Sequence, residues 1–308
     1  MLGLKILKTG SYLPDKVMTN EDFTKFIETS DEWIQSRTGV RERRYAEDMS
    51  NMDMAYETAK KIMEGVNPEE IGGIIVATFT PDYQTPSVSC MLQGRLGLSN
   101  DVFAMDVNAA CAGFIYGLYI ARGILLQNPN KKILLLGSEK ISPYMDFTDR
   151  NTCILFGDGT GGALLGLQEN SKSAFTFQTF SDDESIICKR GEGDYIQMNG
   201  KEVFLFGVNA MLTGIERVLS EAQLEVSDID HFVCHQANIR MIQHVYKKLD
   251  VDASKFYVNL DRCGNTSSAS IPLVLDEMNN KGLLKEGEKL VLVGFGAGLT
   301  WGATLINW

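Results

Sequence analysis

Short aliphatic and β-branched runs recur along the chain, separated by longer stretches in which apolar residues return at helical spacing. The runs GGIIVATFT (72–80), KKILLLGS (131–138), DHFVCHQ (230–236) and KLVLVGFG (289–296) are bounded by glycines and turn residues, and predict buried strands. Helices are predicted over 52–63, 112–126, 204–222 and 238–248. Strands alternating with helices imply an α/β architecture. FGDGTGGALLGL (156–167) and FGAGLTWGATLI (295–306) each lead from a glycine-rich turn into an aliphatic strand, and each closes roughly one half of the chain. That favours two duplicated halves meeting near 168–175, the alternative being two unrelated glycine-rich hairpins.

At 308 residues with 44% hydrophobic content, the chain can build one large domain or two moderate ones. MLGLKILKTGSYLP carries lysines inside its apolar portion, so no export signal is expected. The longest apolar region, 109–126, is broken by Arg122 and three glycines and predicts a buried helix rather than a membrane span. Six dispersed cysteines without CxxC pairing fit a reducing, cytoplasmic setting. A net charge of −11 argues against general nucleic-acid binding, so an acidic partner would need a local basic patch.

Candidate chemistry starts at DVNAACAGF (106–114), where a lone thiol stands among small residues as a strand gives way to a helix. Cys111 reads either as a small buried hydrophobe or as a nucleophile. In the second reading the helix N-terminus favours the thiolate and lowers the thiol pKa from about 8.5. Of the three histidines, His235 ends a predicted strand and is the best placed to enter a cleft, while a structural histidine there is equally compatible with the sequence. DRCGNTSSASIP (261–272) reads as a loop leading into a helix, and Asn265 within it is a possible donor to an oxyanion.

Two other patterns lose on context. Gly157, Gly159 and Gly162 spell GxGxxG, with Asp182 and Asp183 downstream, but ALLGL behaves as a strand where a dinucleotide site needs a helix. His231, Cys234 and His235 lie on one strand, whose alternation sends neighbours to opposite faces, and no second ligand pair completes a zinc pattern. No metal site is expected.

NAACAGF, HQANIR, GNTSSASIP and GFGAGLTWG, in that order and spacing, resemble the β-ketoacyl-acyl carrier protein synthase III family. TGSYLPDKVMTN, TSDEWIQSRTGVRERR and FGDGTGGA extend the resemblance over essentially the whole chain. It implies the thiolase fold: two pseudo-duplicated halves, 1–170 and 171–308, each with a five-stranded mixed sheet, layered αβαβα and assembling as a homodimer. It further implies that Cys111 takes an acyl group from acyl-CoA. His235 and Asn265 then stabilise the enolate formed as malonyl-acyl carrier protein loses carbon dioxide, and the carbanion attacks the acyl group.

The same resemblance gives the backbone N–H groups of Cys111 and Ala297 to the second oxyanion. Ala297 stands where the family usually has glycine. Thr29, Trp33, Arg37 and Arg150 would bind CoA, and Arg240, Lys247 and Lys248 the carrier protein. Helical geometry independently puts 240 and 247 nearly in line, with 248 beside them. Leu205 replaces a lysine frequent after EVF. Thr85, before Pro86, replaces a phenylalanine that short-chain members present from the dimer partner, which implies room for branched or longer primers. No cofactor, nucleic acid or membrane is implied. The alternative within the same fold is a specialised relative in secondary metabolism that condenses or transfers acyl groups to another acceptor.

Overall fold

The computed structural model describes residues 2–189, 191 and 193–308, and in it the aliphatic runs are strands covered on both faces. Up to residue 169 the chain forms β1 (Leu2–Tyr12), β2 (Lys16–Thr19), α1 (Asn20–Phe23), α2 (Asp31–Thr38), β3 (Glu42–Tyr45) and α3 (Asn51–Met63). It continues with β4 (Ile71–Ala77), α4 (Val88–Arg95), β5 (Phe103–Val107), α5 (Gly113–Gln127), β6 (Lys132–Glu139) and β7 (Gly159–Glu169). A five-stranded sheet has the order β1-β7-β6-β4-β5, with β4 parallel to β5 and β6, and β7 antiparallel to β6 and β1.

The remainder forms β8 (Ala174–Thr179), β9 (Ile186–Ile187), β10 (Gln197–Met198), α6 (Gly200–Ala222), β11 (His231–Cys234) and α7 (Ile239–Lys248). After these come α8 (Leu260–Cys263), α9 (Ser270–Asn280), β12 (Lys289–Gly296) and β13 (Thr300–Asn307). The second sheet, β11-β12-β13-β8, repeats the order and directions of the first: β8, β11, β12 and β13 take the places of β1, β4, β6 and β7.

One expectation fails. The second sheet has four strands among the described residues, and the place of β5 is held by a single parallel bridge between Phe232 and Phe256. Beside that bridge the Gln236 side-chain amide donates to the Tyr257 carbonyl (3.4 Å) and accepts from the Asn259 N–H (3.2 Å), so these two backbone groups are satisfied by a side chain.

Strand alternation sorts the core into layers. Ile74 and Val76 of β4 meet Ala55, Ala59 and Ile62 of α3, while Ile75 faces the opposite way toward α5. In the second sheet Val291 and Val293 pack on α6, and Leu290 and Leu292 face α5 and α9. The order is therefore outer helices, sheet, α5 and α9, sheet, outer helices, the αβαβα layering expected.

By length and composition Ala110–Gln127 and Gly200–Ala222 could each cross a membrane. For α5 a sheet on either side accounts for the apolar composition. The α6 helix starts four residues before the sequence predicts, because Asn199 caps it through the Glu202 N–H and lets the polar GKE join the first turn. The glycine-rich segment after Phe156 runs into β7 and not into a helix, which removes the dinucleotide reading.

Candidate active site

Cys111 sits in a single 3-10 turn, Ala110–Ala112, that feeds the N-terminus of α5. Ala110 has φ 45°, a conformation that alanine adopts only under local strain. The small residues around the thiol answer to backbone contact. A Cβ built on Gly296 would lie 2.8 Å from the Cys111 nitrogen, and one on Gly137 only 2.2 Å from the Ser268 carbonyl oxygen.

The GNTSSAS loop forms the corresponding turn of the other half. Ser267–Ala269 is again a 3-10 turn, leading into α9, and Ser267 has φ 50°. The two turns abut, and Asn265 is fixed between them. Its backbone N–H donates to Leu155 (2.8 Å), its carbonyl accepts from Gly157 (3.0 Å), and its side-chain Oδ1 accepts from the Ser267 N–H (2.9 Å). With Oδ1 occupied, the Nδ2 amide is the group left to donate.

His235 follows β11 directly and donates its backbone N–H to Val293 (2.8 Å). Its ring stands edge-on to Phe295, and Nδ1 lies 2.7 Å from Ser270 Oγ. Cys111, His235 and Asn265 all line one cavity of about 530 Å³, which also touches Trp33, Arg37, Phe204, Leu205, Arg240 and Phe295.

The electrostatics correct one expectation. Burial pushes the Cys111 thiol up to about 12; the nearby Glu139 adds to the rise, and the Ser267 hydroxyl opposes it. Burial pulls His235 down to about 3. Burial thus favours a thiol and a neutral imidazole as the resting pair. Cys234 and Cys263 are raised to about 12 in the same way, so access to the cavity sets Cys111 apart, not acidity.

Family models and full-length relatives agree: the model for the C-terminal part of 3-oxoacyl-[acyl-carrier-protein] synthase III matches residues 219–308, its companion for the synthase matches 105–183, and curated synthases III align over the whole chain at more than 40% identity. The chain belongs to the β-ketoacyl-[acyl-carrier-protein] synthase III family. The synthase III of Clostridium tetani is 44% identical, with 99% of this chain and 98% of that one aligned. That of Clostridium acetobutylicum is 43% identical over 100% and 99%. The crystal structure of the Aquifex aeolicus synthase superposes with a TM-score of 0.95 at 38% identity, covering 99% of this chain and 100% of that chain. Membership makes this protein an acyl-transferring condensing enzyme of fatty-acid initiation on the thiolase fold.

Within that synthase III framework the remaining expected residues separate into groups. Ser30 caps α2 by accepting the Trp33 N–H, which sets Trp33 on the first turn at the cavity wall. The guanidinium of Arg150 lies 4.6 Å from the Trp33 ring centre and that of Arg37 lies 5.9 Å away. Arg150 thus occupies the stacking position itself and donates to the Glu28 carbonyl. Thr29 lies off the cavity wall, with its hydroxyl buried and unpartnered.

Arg240, Lys247 and Lys248 are exposed on α7, Arg240 lying over the Phe204 ring. Leu205 is half exposed at the wall of the cavity that Arg240 also lines. Ala297 keeps an ordinary negative φ and the unusual backbone falls on Gly298, φ 134°, so the replacement of glycine by alanine strains nothing. Thr85 is exposed and lies outside this chain's own cavity. Sequence reading missed Glu139, Ser267, Ser270 and Lys201. Lys201 lines the cavity. The three others are reached only through hydrogen bonds between distant segments. Among the described residues no group of His, Cys, Asp or Glu is arranged to hold a metal ion.

Proposed function

We propose that this protein condenses an acyl-CoA primer with malonyl-acyl carrier protein, giving β-ketoacyl-acyl carrier protein, CoA and carbon dioxide. The observation that carries the reading is the convergence of Cys111, His235 and Asn265 on one cavity, with Asn265 Oδ1 tied so that its amide donates. Cys111 attacks the acyl-CoA carbonyl and expels CoA. His235 and Asn265 then hold the thioester oxygen of the malonyl group as decarboxylation builds an enolate on it. The carbanion attacks the acyl carbon, and the charge on that second oxygen meets the backbone N–H groups of Cys111 and Ala297. The Cys111 thiolate leaves and is reprotonated. No cofactor is needed for these steps.

CoA would enter past Trp33, the adenine taking the place of the Arg150 guanidinium, with Arg37 near the phosphates and Thr29 beside them. The acidic carrier would dock on Arg240, Lys247 and Lys248, an encounter weakened by salt. A homodimer is supported by β5, an edge strand carrying an exposed Phe103, and it would bring Thr85 to the partner's acyl pocket. We take 1–170 and 171–308 as the two halves, the break falling between β7 and β8. We place the enzyme in the cytoplasm, acting on neither nucleic acid nor membrane.

The test is product formation from malonyl-acyl carrier protein and a series of acetyl, branched and longer acyl-CoAs, read by mass. Product with at least one primer, and none with Cys111→Ala, is expected. Thr85→Phe should narrow the range toward acetyl. No product with any primer would overturn the reading.

A further inference from the structure

An arginine stands in β3 where strand alternation calls for an apolar residue. Arg43 and Tyr45 are the buried positions of that strand, beside a core that includes Phe23 and Ile154, while Glu42 and Arg44 lie on the other face. Arg43 has no exposed surface. Its Nη1 donates to the Met18 carbonyl (3.1 Å) and to Asn20 Oδ1 (2.9 Å), and its Nη2 donates to the Ile154 carbonyl (2.5 Å). The guanidinium carbon lies 4.5 Å from the centre of the Phe23 ring, and Nε has no partner among the described residues. None of these partners is a carboxylate. Burying a cation without a counter-ion is costly, and an apolar side chain of similar length could cover Phe23 as well. What the guanidinium adds is a rigid fork that holds acceptors from two distant segments at fixed positions.

One of those segments seats Asn265. Residues 151–155 form turns and no strand, so a side chain and not a sheet neighbour supplies the donor to the Ile154 carbonyl. The next three residues hold Asn265 by its backbone: Leu155 accepts its N–H (2.8 Å), Gly157 donates to its carbonyl (3.0 Å), and Phe156 and Asn265 form a parallel bridge. Arg43 also lies directly against this pairing. A Cβ built on Gly157 or on Gly264 would come 3.1 Å from the Arg43 Cβ in either case.

We propose that Arg43 is a positioning residue for Asn265: by holding the Ile154 carbonyl it fixes the segment on which Asn265 is seated, and so aims the Nδ2 amide at the malonyl thioester oxygen. This rests on the reading of Asn265 as a donor to the enolate. The contact bears on one half-reaction. The turn that carries Cys111 is closed by its own bonds, Ala112 N–H to the Ala109 carbonyl (3.0 Å) and Ala110 N–H to Asn108 Oδ1 (3.2 Å). The Trp33 helix has its own tie as well, through Asn20 Nδ2 to Asp31 Oδ1 (2.9 Å) and to the Val40 carbonyl (2.7 Å).

The experiment follows both half-reactions by rapid quench and intact mass for wild type, Arg43→Met and Arg43→Lys. The first is acylation of Cys111 by acyl-CoA, and the second is discharge of the acyl-enzyme by malonyl-acyl carrier protein. Arg43→Met keeps a side chain over Phe23 and removes every donor, whereas the ammonium of Arg43→Lys can serve one segment but not both. Acylation should stay within about threefold of wild type in both variants, while discharge at saturating malonyl-acyl carrier protein falls by about 10- to 100-fold in Arg43→Met and by less in Arg43→Lys. KM for the carrier substrate should hold within about twofold, since the lost interaction acts in the transition state. If Arg43→Met does not fold, Arg43→Lys decides alone. Equal slowing of the two half-reactions would make Arg43 a support of the fold only and would overturn the proposal, as would discharge at the wild-type rate. A wild-type acyl-enzyme that malonyl-acyl carrier protein does not discharge would overturn the reading of the reaction and the proposal with it, a result distinct from equal slowing in the variants.

Discussion

Nδ1 of His235 lies 2.7 Å from Oγ of Ser270, and the direction of that hydrogen bond sets what the imidazole can do. Ser270 Oγ accepts the Gln236 N–H at 3.4 Å and has its own proton to give to Nδ1. Donation in that direction puts the proton of the neutral ring on Nε2, the form that can donate to an oxyanion, and a Ser270→Ala variant tests it. Ser270→Ala releases the ring to the other tautomer. Decarboxylation of malonyl-acyl carrier protein should fall by about 10- to 100-fold, a loss of roughly 1.4 to 2.7 kcal/mol. Acylation of Cys111 by acyl-CoA should change little. Equal loss in both half-reactions would show that Ser270 only supports the fold.

Gly296 and Ala297 are neighbours with opposite tolerances. Gly296→Ala drives a methyl group to 2.8 Å from the Cys111 nitrogen and 3.1 Å from its Cβ, displacing the nucleophile's turn. Activity should be abolished for a stability cost of about 1 to 3 kcal/mol. Ala297→Gly relieves no strain, because Ala297 has no positive φ, and should leave kcat/KM within about twofold. Thermal melts and initial rates of the two variants check both statements.

Burial holds His235 well below its unfolded pKa, down to about 3. Unfolding therefore takes up a proton in the window between about 6.5 and 3, and the stability owed to the neutral ring is lost as pH falls through it. Glu139 works in the opposite sense. Its raised pKa means that folding takes up a proton in the window between about 4.5 and 7, and stability declines as pH rises through it. Removing the titrating ring in His235→Asn should flatten the acid limb of a plot of Tm against pH. Parallel curves for variant and wild type would mean that the ring is not desolvated.

The Trp33 ring carries Arg150 at 4.6 Å and Arg37 at 5.9 Å. If the adenine of CoA exchanges with the Arg150 guanidinium, Trp33→Ala should raise KM for acyl-CoA about 10-fold with kcat nearly unchanged, equivalent to about 1.4 kcal/mol of uniform binding. A change confined to kcat would place Trp33 in the core of its own half rather than in the substrate path.

The layered fold was readable because Ile74, Ile75 and Val76, or Leu290 to Val293, are apolar on both strand faces, which only a strand between two helical layers requires. The duplicated ending at β7 and β13 was readable for a similar reason: glycines there permit close packing in both copies. The missing fifth strand was not legible, since pairing beside β11 is reduced to one bridge between residues 24 apart, Phe232 and Phe256. Nor was the acidity of Cys111. A helix N-terminus can be read from local sequence, whereas the burial of the thiol, the Glu139 and Ser267 groups that act on it and the close approach of Gly296 come from distant segments. Glu139 itself reads as the polar end of a strand until the fold puts the second half's turn against it.

The most direct test of the central claim is intact-mass analysis of the protein after incubation with acyl-CoA and then with malonyl-acyl carrier protein. The comparison is among wild type, Cys111→Ser and Asn265→Ala. Wild type should gain the mass of one acyl group and lose it when the second substrate arrives, and Cys111→Ser should gain no thioester. Asn265→Ala should gain the acyl group and retain it. An adduct on Cys111→Ser, or discharge of the Asn265→Ala acyl-enzyme at the wild-type rate, would contradict the division of labour between the two turns.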